Sequence, residues 1–403
     1  MINNIIDKCY DIDNRSFYLN GPIELSYYEL TYLSKTKRIL FLSDEHTKLT
    51  SACSNHTSTS KFNLDNSVDL DKFVYFLISK YDSRVLDIFV ERYHTFTLKY
   101  DLFMNNMNQQ KMKGGSHLQV NKISNTKEIT ILLKLRTLLN ENRDKYPNIH
   151  VQNIDIGYSY GYTIDEHSKI KQLHVMTIFK LDSWKQRVFN KKKYFSNAKA
   201  FLDLYMNYYD IFIGVLDNDN LMIDFIKYYI NFGSSNNARN PKQMIQFIQF
   251  TGSKIQKQLN DIQDVQTRNE IVKYFTEKMR HELLKYLKNT GKVKNSKQHF
   301  FLDREMVHSF FSRFRMNMMD LYAVARMFRN FDDSLNDIII FAGANHIFNY
   351  TDCINSLSKV DVRKRIIRGN KYSRNQCIKV KEFKPFNINV IDHIREMNDI
   401  IIE

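Results

Sequence analysis

Apolar runs that stop abruptly at charged residues recur along the chain. Ile39 to Leu42 runs into Ser43-Asp44-Glu45-His46, Val85 to Val90 runs into Glu91-Arg92-Tyr93-His94, and Ile338 to Ala342 runs into Gly343-Ala344-Asn345-His346. Short apolar runs bounded by polar breaks read as buried strands. Between the first two, Leu70, Phe73, Val74, Leu77 and Ile78 recur at helical spacing, which predicts a helix from Ser67 to Tyr81 with Asp69 and Asp71 favourable in its first turn. Strand, helix, strand at this spacing is a βαβ unit, so the two strands run parallel and their ends at Ser43 and Glu91 share one edge. Beyond Pro147, the run from Ile149 to Ile156 predicts a further strand that stops at Gly157 and brings Asp155 to the same edge.

The rest of the chain is patterned differently. Residues 1–37 are tyrosine-rich and read as an N-terminal extension with a short helix around Glu24 to Leu33; Lys127 to Asn140 carries a helical stripe. From about 195 to 330 helical stripes dominate, over Ala198 to Tyr209, Leu221 to Phe232, Pro241 to Leu259, Thr267 to Lys288 and Asp303 to Arg329, with breaks such as Gly233-Ser-Ser-Asn-Asn between them. The expected fold is α/β: a parallel-dominated sheet flanked by helices, with a large helical insertion before the last core strand. Residues 38–157 form the first part of the core, 195–330 the helical insertion or lobe, 331–358 the last core strand and its helix, and 359–403 a basic C-terminal tail with an edge strand over Cys377 to Phe383.

Composition narrows the class. The chain has 403 residues, 43% hydrophobic, with only 11 Gly and 4 Pro, which suits a globular protein and excludes fibrous or disordered ones. Its formal net charge of +15 is concentrated in Lys185 to Lys199, Arg280 to Lys297 and Arg363 to Lys384. No helix-turn-helix, zinc-finger or RNA-binding aromatic signature accompanies these clusters. A solvated basic face is the plainer reading, and non-specific contact with nucleic acid or an acidic partner is the alternative. Cys9, Cys53, Cys353 and Cys377 lie far apart with no CxxC spacing, which predicts reduced thiols and an intracellular setting. The most apolar long stretch, Phe201 to Ile230, is interrupted by five aspartates, so no transmembrane segment is expected.

The chemistry collects at the strand ends. In an open parallel sheet ligands bind beyond the carboxyl ends of the strands. Taken singly, a histidine after a strand is more often a hydrogen-bonding residue than a catalyst; several acid- or histidine-bearing ends on one edge point to a site. Glu45, His46, Glu91 and His346 are the candidate catalytic residues. The same four are a set that can hold a divalent transition metal, and there is no HExxH helix or CxxCH haem motif. Asp155 and Asn345 are candidate substrate contacts. Arg315 and Arg326, eleven positions apart on one helix face, are a candidate clamp for an anionic substrate group.

These residues resemble the erythromycin esterase/ChaN-like and TIKI/TraB superfamily, in particular members encoded by large DNA viruses of amoebae. Gly343-Ala-Asn-His346 resembles the second GxxH motif of that family, and Ser43-Asp-Glu-His46 the first with Ser in place of Gly. Glu91 beside Arg92 resembles its acidic position, Ile154-Asp-Ile156 a strand followed in relatives by Arg where Gly157 stands here, and Met319 to Phe328 its penultimate helix. The resemblance implies hydrolysis of an ester or a peptide bond, with His46 as general base or metal ligand, Glu45 and Glu91 as orienting or ligating carboxylates and His346 as second base or ligand. It also implies a divalent metal or, in some members, haem, a small-molecule or peptide substrate, and a cytoplasmic setting, which for a viral member means the host cytoplasm or the virion. An inactive binding or virion-associated protein with a basic surface is the alternative function.

Overall fold

The computed structural model describes residues 16–44, 67–81, 85–91, 146–154, 162–164, 170–172, 193–195, 198–216, 220, 241–289, 300–302, 304–329, 337–369, 377–381 and 383–398. The chain divides into two compact units. Met1–Asn153, Leu335–Phe348 and Asp361–Glu403 form the first, and Ile154–Ser334 with Asn349–Val360 form the second.

The first unit is built on a six-stranded sheet. Its strands are β2 (Glu24–Tyr32), β3 (Lys35–Asp44), β5 (Leu86–Val90), β6 (Ile149–Asn153), β11 (Asp337–Gly343) and β12 (Val360–Gly369), in the order β12-β2-β3-β11-β5-β6. β11 lies parallel to both β3 and β5, and β5 is parallel to β6. The helix α1 (Leu70–Ser79) links β3 to β5, as its apolar spacing predicts. On one face, Leu25, Tyr27, Leu40, Leu42, Ile88, Val90, Ile339 and Phe341 share a core with Phe73, Val74 and Leu77 of α1. On the other, Tyr28, Leu30, Ile39, Phe41, Phe89, Ile338 and Ile340 are buried too. Burial on both faces explains why the strands read as continuous apolar runs rather than alternating ones. Each large side chain removed from water contributes about 1.5–3 kcal/mol.

The helix expected around Glu24 to Leu33 is not formed. That segment is β2, paired antiparallel with β3 from Glu24↔Ser43 to Tyr32↔Lys35. Leu25 and Tyr27 face one side of the sheet and Tyr28, Leu30 and Tyr32 the other, all fully buried. Aromatic residues suit such a pleated, packed surface, and this tertiary burial overrides the helix propensity of the two glutamates. The hairpin turns through Leu33 (φ 49) and Ser34 (φ 59), the pair of left-handed residues that a two-residue loop of the primed type requires.

The expected basic tail is also part of the fold. β12 is an edge of the main sheet, and β13 (Cys377–Lys381) pairs antiparallel with β1 (Ser16–Asn20), which pairs parallel with β4 (Ser67–Asp69) on its other side. Phe383, Phe386, Val390 and Met397 then enter the same core as α1, the last of them from the short helix α7 (Ile394–Asn398). Cys377 is disulfide-bonded, so the expectation of reduced thiols fails at that position, whereas Cys353 is a free, buried thiol. Spacing alone missed the bond because distant cysteines are joined by folding rather than by a local motif.

A polar pin closes the amino ends of the central strands. Arg38 of β3 donates to the carboxylate of Asp337, the first residue of β11, from Nε at 3.1 Å to each oxygen and also from Nη2. The Tyr81 hydroxyl donates to the same carboxylate at 2.7 Å, and the Arg38 guanidinium lies over the Phe386 ring, 5.5 Å from its centroid. Burial opposes the charge on Arg38, but the hydrogen bonds to Asp337 outweigh it and raise the arginine's pKa.

The second unit contains α2 (Ala198–Phe212), α3 (Pro241–Asn260), α4 (Val265–Asn289) and α5 (Arg304–Phe328), each on a stripe the sequence predicts. It also holds two small antiparallel pairs, β7 (Tyr162–Ile164) with β8 (Ile170–Gln172) and β9 (Lys193–Phe195) with β10 (Phe300–Leu302). The helices expected over Lys127 to Asn140 and Leu221 to Phe232 lie outside the described residues. Asp264 caps α4, its carboxylate accepting from the Thr267 N–H at 2.8 Å and hydroxyl at 2.7 Å while Lys359 donates to its other oxygen at 2.6 Å. Among the described residues no helix is long and apolar enough to cross a membrane.

Candidate functional site

The parallel register aligns the strand ends. Gly343 at the end of β11 is paired with Asp44 at the end of β3, and Val90 at the end of β5 is paired with Phe341 on one side and Asn153 of β6 on the other. The four carboxyl ends therefore share one edge, where chemistry in such sheets is expected. Glu91 continues the ladder by one bond, its N–H donating to the Phe341 carbonyl at 3.0 Å. Immediately after Gly343 the chain turns into α6 (Ala344–Ser356), so His346 falls in the first turn of that helix.

Glu91 and His346 meet there. One oxygen of the Glu91 carboxylate accepts the Gly343 N–H at 2.6 Å, and the other lies 3.5 Å from His346 Nε2. Both side chains are buried, with 5 % of the Glu91 and 8 % of the His346 side chain exposed. A carboxylate at the start of a helix is favoured by the backbone N–H groups it faces, and the short bond to Gly343 has the length of a charge-assisted one. Glu91 is thereby fixed, with one oxygen left for the imidazole. The imidazole meets this carboxylate through Nε2. A helix-capping carboxylate with a histidine packed on it would look the same in outline, so the arrangement has a purely structural use as well.

The 3.5 Å separation also bears on metal binding. Two ligands at roughly 2.1 Å from a tetrahedral zinc are separated by about 3.4 Å. Glu91 and His346 thus suit one edge of such a site, and each could supply a ligand. Among the described residues, however, no group of three or more His, Cys, Asp and Glu side chains gathers. The other expected ligands, Glu45 and His46, follow directly after Asp44 and lie outside the described residues.

The substrate contacts fare unevenly. Asn345 is exposed in the first turn of α6, next to the Glu91–His346 pair in sequence. Asp155 lies outside the described residues, although Ile154 just before it is buried. The clamp expected from Arg315 and Arg326 is not seen. Arg326 is buried in the second unit, where its Nη1 donates to Gln258 Oε1 at 3.2 Å and lies 3.5 Å from the Tyr322 hydroxyl. Arg329 donates to the same Gln258 oxygen at 3.1 Å. Spacing along a helix carries no information on whether a face meets solvent or core, and the Arg315 side chain lies outside the described ones.

Two features escaped sequence reasoning. The first is the Gly343 N–H, a backbone donor that no residue pattern announces. The second is a further carboxylate–imidazole pair on neighbouring strands: Asp87 of β5 is fully buried, and its Oδ1 lies 3.4 Å from Nδ1 of His150 on β6, its register partner. The signal for it was available, since an aspartate inside the otherwise apolar Leu86–Val90 run demands a partner.

No family model, curated protein or solved structure matches the chain.

Proposed function

We propose that the chain is a hydrolase of the erythromycin esterase/ChaN-like type that cleaves an ester or peptide bond at the carboxyl edge of its parallel sheet. The observation that carries this reading is the Glu91 carboxylate, held by the Gly343 N–H and placed 3.5 Å from His346 Nε2. Glu91 orients the imidazole through Nε2 and stabilises it when it gains a proton, and His346 serves as the general base that takes that proton from water. Glu45 and His46 join the pair as second carboxylate and base, or complete a metal site with it, in which case the metal supplies an activated water. Asn345 and Asp155 contact the substrate, and the helices from Ala198 to Phe328 form an insertion in the α/β core.

The test is turnover of a panel of esters and peptides by the purified protein, with and without added zinc or manganese. His346→Ala should lower kcat/KM by about 10²–10⁴-fold on any substrate the parent hydrolyses, with the far-UV spectrum unchanged. A variant as fast as the parent, or a parent that turns over nothing on the panel with either metal, refutes the assignment.

A further inference from the structure

The strand β12 reads Val-Asp-Val-Arg-Lys-Arg-Ile-Ile-Arg-Gly from Val360 to Gly369 and ends the main sheet. Arg365 lies over the Tyr28 ring at 5.3 Å, Lys364 lies 3.5 Å from the Glu29 carboxylate, and Gly369 (φ +85) approaches the Ile23 carbonyl so closely that a Cβ would sit 2.4 Å from it. β12 therefore runs opposite to β2. Among the described residues β2 is its only sheet neighbour, so alternate N–H and C=O groups along its length point away from the sheet. The side chains of Arg363, Lys364 and Arg365 are exposed in a row, on both faces of the strand. Among the described residues, Asp361, 3.8 Å from Arg363, and Glu29, 3.5 Å from Lys364, oppose these charges by ion pairing.

Two physical facts select the occupant of such an edge. Open strand edges are templates for a further strand, and basic side chains guard them against the wrong one. Two copies of β12 pairing antiparallel about Lys364 would set Arg363-Lys364-Arg365 against itself, and like charges directly opposite one another destabilise a ladder. A second copy of this chain is thus disfavoured, and a strand carrying carboxylates is favoured at the same positions. Nucleic acid would answer the charge but not the backbone groups, and among the described residues no exposed aromatic row accompanies the basic one to stack bases.

We infer that the outer edge of β12 receives an acidic, extended segment of a partner protein by strand addition. The backbone of the segment extends the six-stranded sheet, and its carboxylates pair with Arg363, Lys364 and Arg365. This surface is independent of the Glu91–His346 site and of any hydrolysis there.

The probe is a fluorescein-labelled ten-residue peptide in which glutamate alternates with valine, titrated into the full chain and followed by anisotropy and by hydrogen exchange. The expected result is saturable binding that weakens with salt, slowed exchange of amides within Val362–Ile367, and at least about tenfold weaker binding to the doubly substituted Arg363→Glu/Arg365→Glu chain. Arg363→Gln/Arg365→Gln serves as a second variant, expected to fall between the parent and the charge reversal. A peptide with N-methyl groups on alternate residues keeps its charge and should bind about tenfold more weakly. Binding without any change in β12 exchange, equal binding of the methylated peptide or of single-stranded DNA of the same charge, or no binding at about 1 mM peptide overturns the inference.

Discussion

Replacing Glu91 by Gln separates an orienting carboxylate from a helix cap. The glutamine carbonyl can still accept the Gly343 N–H, now as a neutral acceptor, at a cost of about 1 kcal/mol in stability. Its NH₂ group then faces His346 Nε2, 3.5 Å away in the parent, and can only donate. Nε2 must accept, the ring proton moves to Nδ1, and the carboxylate that would stabilise a protonated imidazole is gone. The loss in kcat/KM is expected to be about 10²–10⁴-fold, near the upper end if the imidazole is locked in the wrong tautomer. Glu91→Ala removes the carboxylate altogether and leaves the Gly343 N–H buried without an acceptor, for a stability loss of roughly 1–3 kcal/mol. Urea unfolding followed by circular dichroism gives the stability side, and initial rates on an ester that the parent hydrolyses give the other. If Glu91→Gln keeps more than half of the parental kcat/KM while Glu91→Ala loses stability as stated, Glu91 is a cap and the reasoning about His346 is wrong.

Two further outcomes concern stability. Asp337→Ala strands the buried Arg38 guanidinium and the Tyr81 hydroxyl and should cost about 3–5 kcal/mol, whereas the double replacement Arg38→Met/Asp337→Leu should be markedly closer to the parent; urea midpoints ranking the double variant below the single one would contradict this. At Asp264, burial pushes the carboxyl up, but hydrogen bonds from Lys359 and Thr267 prevail and hold it below the ordinary carboxylate range. A depressed native pKa gives stability that is present above the unfolded value, near 4, and lost as pH falls through the native one. Asp264→Asn keeps a capping oxygen but should flatten the decline in urea midpoint between about pH 5 and pH 2, and an acid limb identical to the parent's would show that Asp264 does not contribute to it.

The parallel core was legible because β3, β5 and β11 are buried on both faces and so write nearly continuous apolar runs with polar residues beyond them, as at Leu42, Val90 and Ala342. The helical stripes of α1 to α5 were legible for the complementary reason, one buried face at a period of 3.6. β2 was missed because a strand with Glu24 and Glu29 among aromatic residues carries no clean period, and only its place between β3 and β12 decides its form. At the site, residue types named Glu91 and His346, but nothing in them names the Gly343 N–H that fixes the carboxylate. Arg326 failed for the opposite reason: a helix face can be computed from spacing, whereas what it packs against, here Gln258 and Tyr322, cannot.

The position of β11 has a consequence for synthesis. It lies between β3 and β5, which flank it on either side and are not paired with each other, and more than half of the chain separates Val90 from Asp337 in order of translation. At about 5–20 residues per second, the ribosome leaves the inner edges of β3 and β5 without their shared neighbour for tens of seconds. A nascent or truncated chain ending before Asp337 would present two apolar edges at once, and the Glu91 carboxylate would have neither the Gly343 N–H nor the His346 imidazole until β11 and the start of α6 filled the gap.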